Sequence, residues 1–399
     1  MTRQRLTSRR DFVRSGAAGA AGAAVLSACP SAERPRETEP RLGRSVVRTL
    51  GRTGLELPVV SMGSCYAINL VQTALDEGIR YIHTSSGYSE NQHEVLLGEV
   101  FRGRPRSSFV VATSPDLPYP FTRRRGRSLD LGTRIDPALI HRSMEGSLRR
   151  LQLDYVDIYY LCSIGTRKVA LFEPYLEAFT RLKREGKTRF VGLATHENEP
   201  EVIRAAAESG VWDVVLTAYN FRQSHRETVR AAIRDAAEAG LGVVAMKTQA
   251  GVYRDRERTK MINQTAALKW VLQDENVHTS IPAISNFHEL REDLSVMEDL
   301  DFTPAEAYDL EEVQRSASAG FFCQQCGYCR PQCPLEVEIP TLMRAHMYAL
   351  GHGQPDKAKT ILRGLSSSDI GCTDCHRCEV QCALGHDIRS RMLDVARML

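Results

Sequence analysis

The chain has 399 residues, enough for one large domain and a smaller one, with 52 basic against 49 acidic side chains. Five arginines against Asp11 within residues 1–28 put a local +4 there and leave the remainder near −1. Nothing in that balance points to a nucleic-acid-binding surface, and no apolar run is long and greasy enough to span a bilayer.

In chain order, "SRRDFVRSGAAGAAGAAVLSAC" comes first. It sets Arg9 and Arg10 ahead of Phe12, Val13, a weakly apolar Gly/Ala stretch and a small-residue end. This order resembles a twin-arginine signal (residues 1–29) and predicts an exported, periplasmic or outer-surface protein. Leu26-Ser27-Ala28-Cys29 resembles a bacterial lipobox, although Pro30 directly after it is unusual; lipidation of Cys29 would be the link to a membrane. Residues 30–45, rich in proline and charge, cannot bury a core and read as a linker.

From 46 to 302, β-rich runs alternate with helical stretches. The strands are expected at 59–64, 81–86, 109–115, 156–163, 189–195, 214–220, 242–248 and 279–285. Helices are expected between them, among others at 68–78, 138–151, 174–186, 199–210, 227–240 and 263–275. Eight β/α repeats of buried strands predict a TIM (β/α)8 barrel, whose functional groups sit just past the C-terminal strand ends.

Residues 303–399 read as a connector helix followed by a small domain set by its cysteines. Cys323, Cys326, Cys329 and Cys333, then Cys372, Cys375, Cys378 and Cys382, each follow C-x2-C-x2-C-x3-C. This is the spacing of bacterial [4Fe–4S] ferredoxins, in which the fourth cysteine ligates the other cluster. Cys323, Cys326, Cys329 and Cys382 are therefore assigned to one cluster, and Cys372, Cys375, Cys378 and Cys333 to the second. A four-thiolate zinc site draws its pairs from separated stretches, which this duplicated run does not. Between the runs, Ile339, Leu342, Met343, His346, Met347 and Leu350 recur at helical spacing, so the spacer opens with an amphipathic helix and the module resembles an α-helical ferredoxin.

The phrases "RTLGRTGLELPVVSMG", "ALDEGIRYIHTSSGYS", "SLRRLQLDYVDIYYL", "GKTRFVGLATHE" and "SIPAISNFHELREDL" resemble the aldo-keto reductase family. The closer resemblance is to its bacterial subgroup with a C-terminal iron–sulfur domain. The family resemblance implies carbonyl reduction with a nicotinamide hydride. A tyrosine acts as acid, tuned by a lysine, an aspartate and a histidine. Tyr88 holds the tyrosine position, but His83 stands for the aspartate, Ser114 for the lysine and Cys162 for the histidine. Without a neighbouring cation, a phenol titrates near its free value and is a poor acid at neutral pH. The positions that hold the cofactor in the family carry Ala194, Thr195, Leu216, Ala283 and Glu289 here, which argues against tight NADP(H) binding.

The residues projected to the barrel mouth are Cys65, His83, Tyr88, Ser114, Cys162, His196, Tyr219 and Lys247. His83, Cys162 and Cys65 either bind a soft metal or form a redox pair, or they are buried fillers with a hydrogen-bonded histidine. Tyr88, His83 and Cys162 are the catalytic candidates, and Lys247 is the candidate for holding a cofactor or substrate anion. The basic run "FTRRRGRS" (121–128) reads as a solvated loop or a docking site for an anionic partner.

The expected function is that of an exported oxidoreductase. Electrons pass between two [4Fe–4S] clusters, served by a redox partner protein, and a small molecule at the barrel mouth, without free NADPH. Two alternatives are an NADP-dependent carbonyl reductase relying on Tyr88 and a non-enzymatic scaffold bearing an electron-transfer module.

Overall fold

The computed structural model describes residues 45–89, 91–115, 117, 136–251, 261–315, 323, 328–335, 337–351, 354–362, 365, 378–383 and 385–397. The export signal with Arg9, Arg10 and Cys29, nearly all of the linker, the basic run 121–128, and Cys326, Cys372 and Cys375 lie outside them.

An antiparallel hairpin, β1 (Val47–Thr49) and β2 (Glu56–Pro58), opens the fold and closes the N-terminal end of the barrel with Leu50, Leu55 and Leu57. Gly51 in its turn has φ +47°, and a Cβ there would run into the backbone of Leu241 and Gly242. No other residue fits so close an approach.

Seven parallel strands follow in spatial order: β3 (Tyr81–His83), β4 (Val110–Thr113), β5 (Val156–Leu161), β6 (Thr188–Thr195), β7 (Val214–Ala218), β8 (Gly242–Met246) and β9 (Thr279–Ser280). Residues 59–62 supply the eighth stave. Val60 bridges Ser280 and Met62 bridges Ile82, both in parallel. The amides of Ser280 and Ser61 close one seam at 2.9 and 2.8 Å, and those of Met62 and His83 close the other at 2.9 Å each. The cycle is a closed eight-stave barrel, as expected from the alternation.

Side chains alternate along each strand. Tyr81, Ile158, Tyr160, Ala194, Val214, Leu216, Val244 and Met246 fill the interior, while Ile82, Tyr159, Val191, Val215 and Val243 pack outward on the helices. Tyr160 fits because Gly192 faces it; a Cβ at Gly192 would collide with its ring.

Several strands end before the expected positions, because the chain turns away at Thr84, Ser114 and Lys247. A helix at Gln92–Phe101, absent from the sequence reading, packs on Pro137–Leu151. The connector helix Pro304–Arg315 packs on the barrel helix Gln264–Leu272, which precedes β9, through Leu310 and Val313 and a buried Lys269–Glu306 ion pair at 3.1 Å. The C-terminal region is helical, with Ile339–His346, Pro355–Leu362 and Ile388–Ala396 around their own small core.

The predicted stripe needs one correction. Ile339, Leu342, Met343 and His346 are buried, but the helix loosens into a π turn at Met347–Gly351. The wider turn rotates the face, so Ala349 is buried and Leu350 is 42% exposed.

Candidate active site at the barrel mouth

β3 ends at His83, which lies on the same face as Tyr81 and therefore points into the top of the barrel. Its ring is 5.6 Å from that of Tyr160 and 6.1 Å from that of Tyr88. His83 is buried and its Nε2 has no hydrogen-bond partner among the described residues. Burial first, then the neighbouring His93 and Lys247, depress its pKa to about 3, so the ring is neutral. His196, one residue past β6, shows the same pattern. Its Nδ1 is unpartnered, and burial followed by Lys247 lowers it to about 3.

Tyr88 follows in the loop after β3. Burial pushes its phenol above the ordinary range, and Tyr348 and Cys162 add to the shift. Ser114, where the sequence resemblance looks for a lysine, donates to the Ser85 hydroxyl at 2.8 Å. Cys162 packs against the barrel's inner cluster, and burial raises its thiol to about 11. Burial also raises the Cys65 thiol, which faces the Ala67 carbonyl, within the outer core. Among the described residues no three His, Cys, Asp or Glu side chains gather into a metal-holding group. Cys65, Cys162 and His83 thus form no such group, and the two thiols pack as small apolar residues do.

Tyr219 departs from its projected place. It is fully buried beneath the outer helices, its ring 5.1 Å from Trp270 and its hydroxyl accepting from Arg230 at 2.9 Å. Glu289 turns back on its own helix start, where it accepts from the Ser285 amide and hydroxyl at 2.7 Å each. Helix Gln92–Phe101, missed in the sequence, braces the mouth from below. His93 joins Thr84 (2.7 Å) to the Cys65 carbonyl (2.8 Å), and Glu94 joins Arg150 to Thr113.

Lys247 lies at the mouth, but it faces the helical region. It follows β8 with φ +58°, a costly conformation for a side chain of this size. Its ammonium donates to the Tyr348 hydroxyl at 3.1 Å. Tyr348 belongs to the π turn, and Lys357 on the next helix stands 4.2 Å from the Tyr348 ring centroid and 5.5 Å from that of Tyr88. Burial alone would raise the Tyr348 phenol. The charges of Lys247 and Lys357, the Lys247 hydrogen bond and Arg344 outweigh burial and hold it at about 7. Arg330, between Cys329 and Cys333, donates to Glu197 past β6 at 2.7 Å. Sequence reasoning missed Tyr348, Lys357 and Arg330 because the contacts run 101 and 133 residues along the chain.

The described cysteines of the two runs fit iron–sulfur ligation. Cys329 is buried, and Cys323, Cys333 and Cys382 border the apolar core of the helical region. Cysteine thiolates are the ligands of such clusters, and their exposure to solvent helps set the reduction potential.

Known proteins agree with this architecture. Residues 51–265 match the aldo/keto reductase family, and residues 322–387 match a 4Fe-4S dicluster domain. L-galactose dehydrogenase of Arabidopsis thaliana is 32% identical over 162 residues, 37% of this chain and 47% of that protein. A probable aldo-keto reductase of Glycine max is 28% identical over 139 residues, 35% of this chain and 37% of that protein. The chain thus covers less than half the length of these curated relatives. Among solved structures, the holo form of an aldo-keto reductase from Bacillus halodurans matches with a TM-score of 0.53 at 23% identity, over 67% of this chain and 96% of that one. One from Klebsiella pneumoniae, in complex with NADPH, matches with a TM-score of 0.52 at 21% identity, over 67% and 95%. At these identities the structural likeness speaks for the fold. The chain belongs to the aldo/keto reductase family of oxidoreductases and carries a 4Fe-4S dicluster domain behind its barrel.

Proposed function

We propose that this iron–sulfur oxidoreductase exchanges electrons between two [4Fe–4S] clusters and a small carbonyl or alcohol at the barrel mouth, without drawing on free NADPH. The observation that carries this reading is the seating of the cysteine-bearing region on the mouth. Arg330, next to Cys329, holds Glu197, and Tyr348 and Lys357 stand over Lys247 and Tyr88. When bound, the clusters supply one-electron transfer. Their ligands are Cys323, Cys326, Cys329 and Cys382 for one, and Cys333, Cys372, Cys375 and Cys378 for the other. The chain's own side chains close the mouth and keep His83 and His196 neutral. The family's tetrad is reduced to Tyr88, whose phenol is shifted upward, with Ser114 in place of the lysine.

The test uses anaerobically purified holoprotein with a panel of aldehydes and ketones, offered either reduced methyl viologen or NADPH. Carbonyl-dependent oxidation of the viologen, with NADPH left untouched, is expected. NADPH oxidation that is lost in Tyr88→Phe would overturn the reading and install the family's own activity. That second reading has one observation in its favour, the ammonium of Lys357 at 5.5 Å from the Tyr88 ring centroid.

Export before folding is complete would leave clusters unassembled, so the twin-arginine route, which carries folded proteins, suits an iron–sulfur chain. We propose that route for this protein, with the charge order at Arg9 and Arg10 as support. Replacing both arginines by lysine should hold the protein in the cytoplasmic fraction, and unchanged export would refute it.

A further inference from the structure

We infer that Tyr348, contributed by the helical region, is the proton-transfer residue of the barrel mouth, with Lys247 and Lys357 as its positioning residues. Three observations of geometry converge on it. Its hydroxyl takes a 3.1 Å hydrogen bond from Lys247, which the barrel holds in a strained conformation at the end of β8. The Lys357 ammonium lies 4.2 Å from its ring centroid, so two cations from two separate elements address one phenol. The phenol is also carried on a π turn, Met347–Gly351, that breaks the regular face of the helix before it. Such turns recur at functional sites, because they aim a side chain that a regular helix would point elsewhere.

The charged and titratable groups around Tyr348 are Lys247 after β8, Lys357 and Arg344 on the flanking helices, and the phenol of Tyr88 across the mouth; Tyr66 adjoins the same cluster. His83 and His196 lie within the field of Lys247 and remain neutral. The strongest charges on the Tyr348 phenol are those of Lys247, Lys357 and Arg344, and they favour a negative charge on its oxygen. With a pKa of about 7 against about 10 for a free phenol, the residue both gives and takes a proton at neutral pH. Tyr88 is shifted upward instead, by burial first and then by Tyr348, Cys162 and Tyr66, and stays protonated.

The step is a single proton exchange. The Tyr348 O–H bond breaks, an O–H bond forms on a substrate oxygen that has become negative, and the phenolate charge rests against Lys247 and Lys357 until water returns a proton. Run backwards, the phenolate takes the proton of a substrate hydroxyl. This assignment rests on the mouth being the place of reaction, but the state of Tyr348 can be read without turnover.

The experiment is a pH titration of tyrosinate absorbance in the holoprotein, taken as the difference between wild type and Tyr348→Phe so that cluster absorbance cancels. A transition centred near pH 7 that is absent in Tyr348→Phe is expected, moving upward in Lys247→Met and again in Lys357→Met. The viologen-driven reaction should fall at least tenfold in Tyr348→Phe, and its pH profile should shift with the two lysine variants. Absence of a tyrosinate transition below about pH 9 overturns the inference, as does full turnover with an unchanged pH profile in Tyr348→Phe. Retained cluster absorbance in each variant excludes unfolding as the cause. If the transition is present while wild type reduces no carbonyl, the electron-transfer reading fails and the ionisation of Tyr348 stands.

Discussion

The two ends of the barrel treat polar groups in opposite ways. At the N-terminal end, the buried carboxylate of Asp157 is fully used: it accepts from Arg106 at 2.6 Å, from Arg189 at 2.8 Å and from the Val111 amide at 2.9 Å. Arg106 also lies over the rings of Phe109 and Tyr155, beside a groove of about 740 Å³. At the C-terminal end, His83 Nε2, His196 Nδ1 and the Thr248 hydroxyl are buried without a partner among the described residues. Ser89, Ser163 and Lys247 near that end all have positive φ. The Asp157 carboxylate is fully used although the Arg106 Nε beside it is buried without a partner among the described residues. At the mouth two imidazole nitrogens and a hydroxyl are left so, next to backbone strain, and such costs persist where a site needs them. The difference supports the proposal that function sits at the mouth.

The largest effect should come from breaking the satisfied end. Asp157→Ala leaves two partly exposed guanidinium groups and a buried amide without their shared acceptor, and losing these charge-assisted hydrogen bonds costs about 2 to 3 kcal/mol. The thermal midpoint followed by circular dichroism should fall by several degrees, while viologen-driven turnover well below that midpoint stays at the wild-type rate. A loss of turnover without a loss of stability would erase the division between the two ends.

The unsatisfied end should answer to pH instead. The His83 pKa is about 3 in the folded chain and about 6.5 in an unfolded one, so in that window the unfolded state binds a proton that the native state refuses. Stability from this group is complete above about pH 6.5 and declines as the pH falls, by about 2 kcal/mol at pH 5. His83→Gln cannot take up the proton. The fall in thermal midpoint between pH 7 and pH 5 should therefore be smaller in His83→Gln than in wild type. Equal falls would mean that His83 is solvated rather than sealed.

Much of the fold is legible in the sequence, and for identifiable reasons. Strand runs such as 156–161 are buried on both faces, and helices such as 227–240 show their apolar stripe, so local pattern and tertiary role coincide there. The helix Gln92–Phe101 hides because His93 and Glu94 are polar yet buried, which defeats a reading by hydrophobic periodicity. At the site, Ser114 at the position where the family resemblance looks for a lysine can be read from one line of sequence. What cannot be seen there is Tyr348. Its meaning depends on Lys247, 101 residues away, and on a π turn that periodicity reads as unbroken helix.

The smallest expected effect tests the join between the two regions. Arg330 and Glu197 meet at 2.7 Å with side chains 14% and 25% exposed, so water weakens the pair only in part. Arg330→Gln keeps most of the side chain and one donor but loses the charge. A partly exposed pair is worth on the order of 1 kcal/mol, too little to unfold the barrel. It is enough to loosen the contact of the cysteine-bearing region with the mouth by several-fold. Limited proteolysis of the holoprotein should cut Arg330→Gln faster than wild type, with an unchanged thermal midpoint for the barrel and the same effect in Glu197→Gln. If the double variant is cut no faster than either single one, the two residues act through this one contact; additive effects would assign each a separate role.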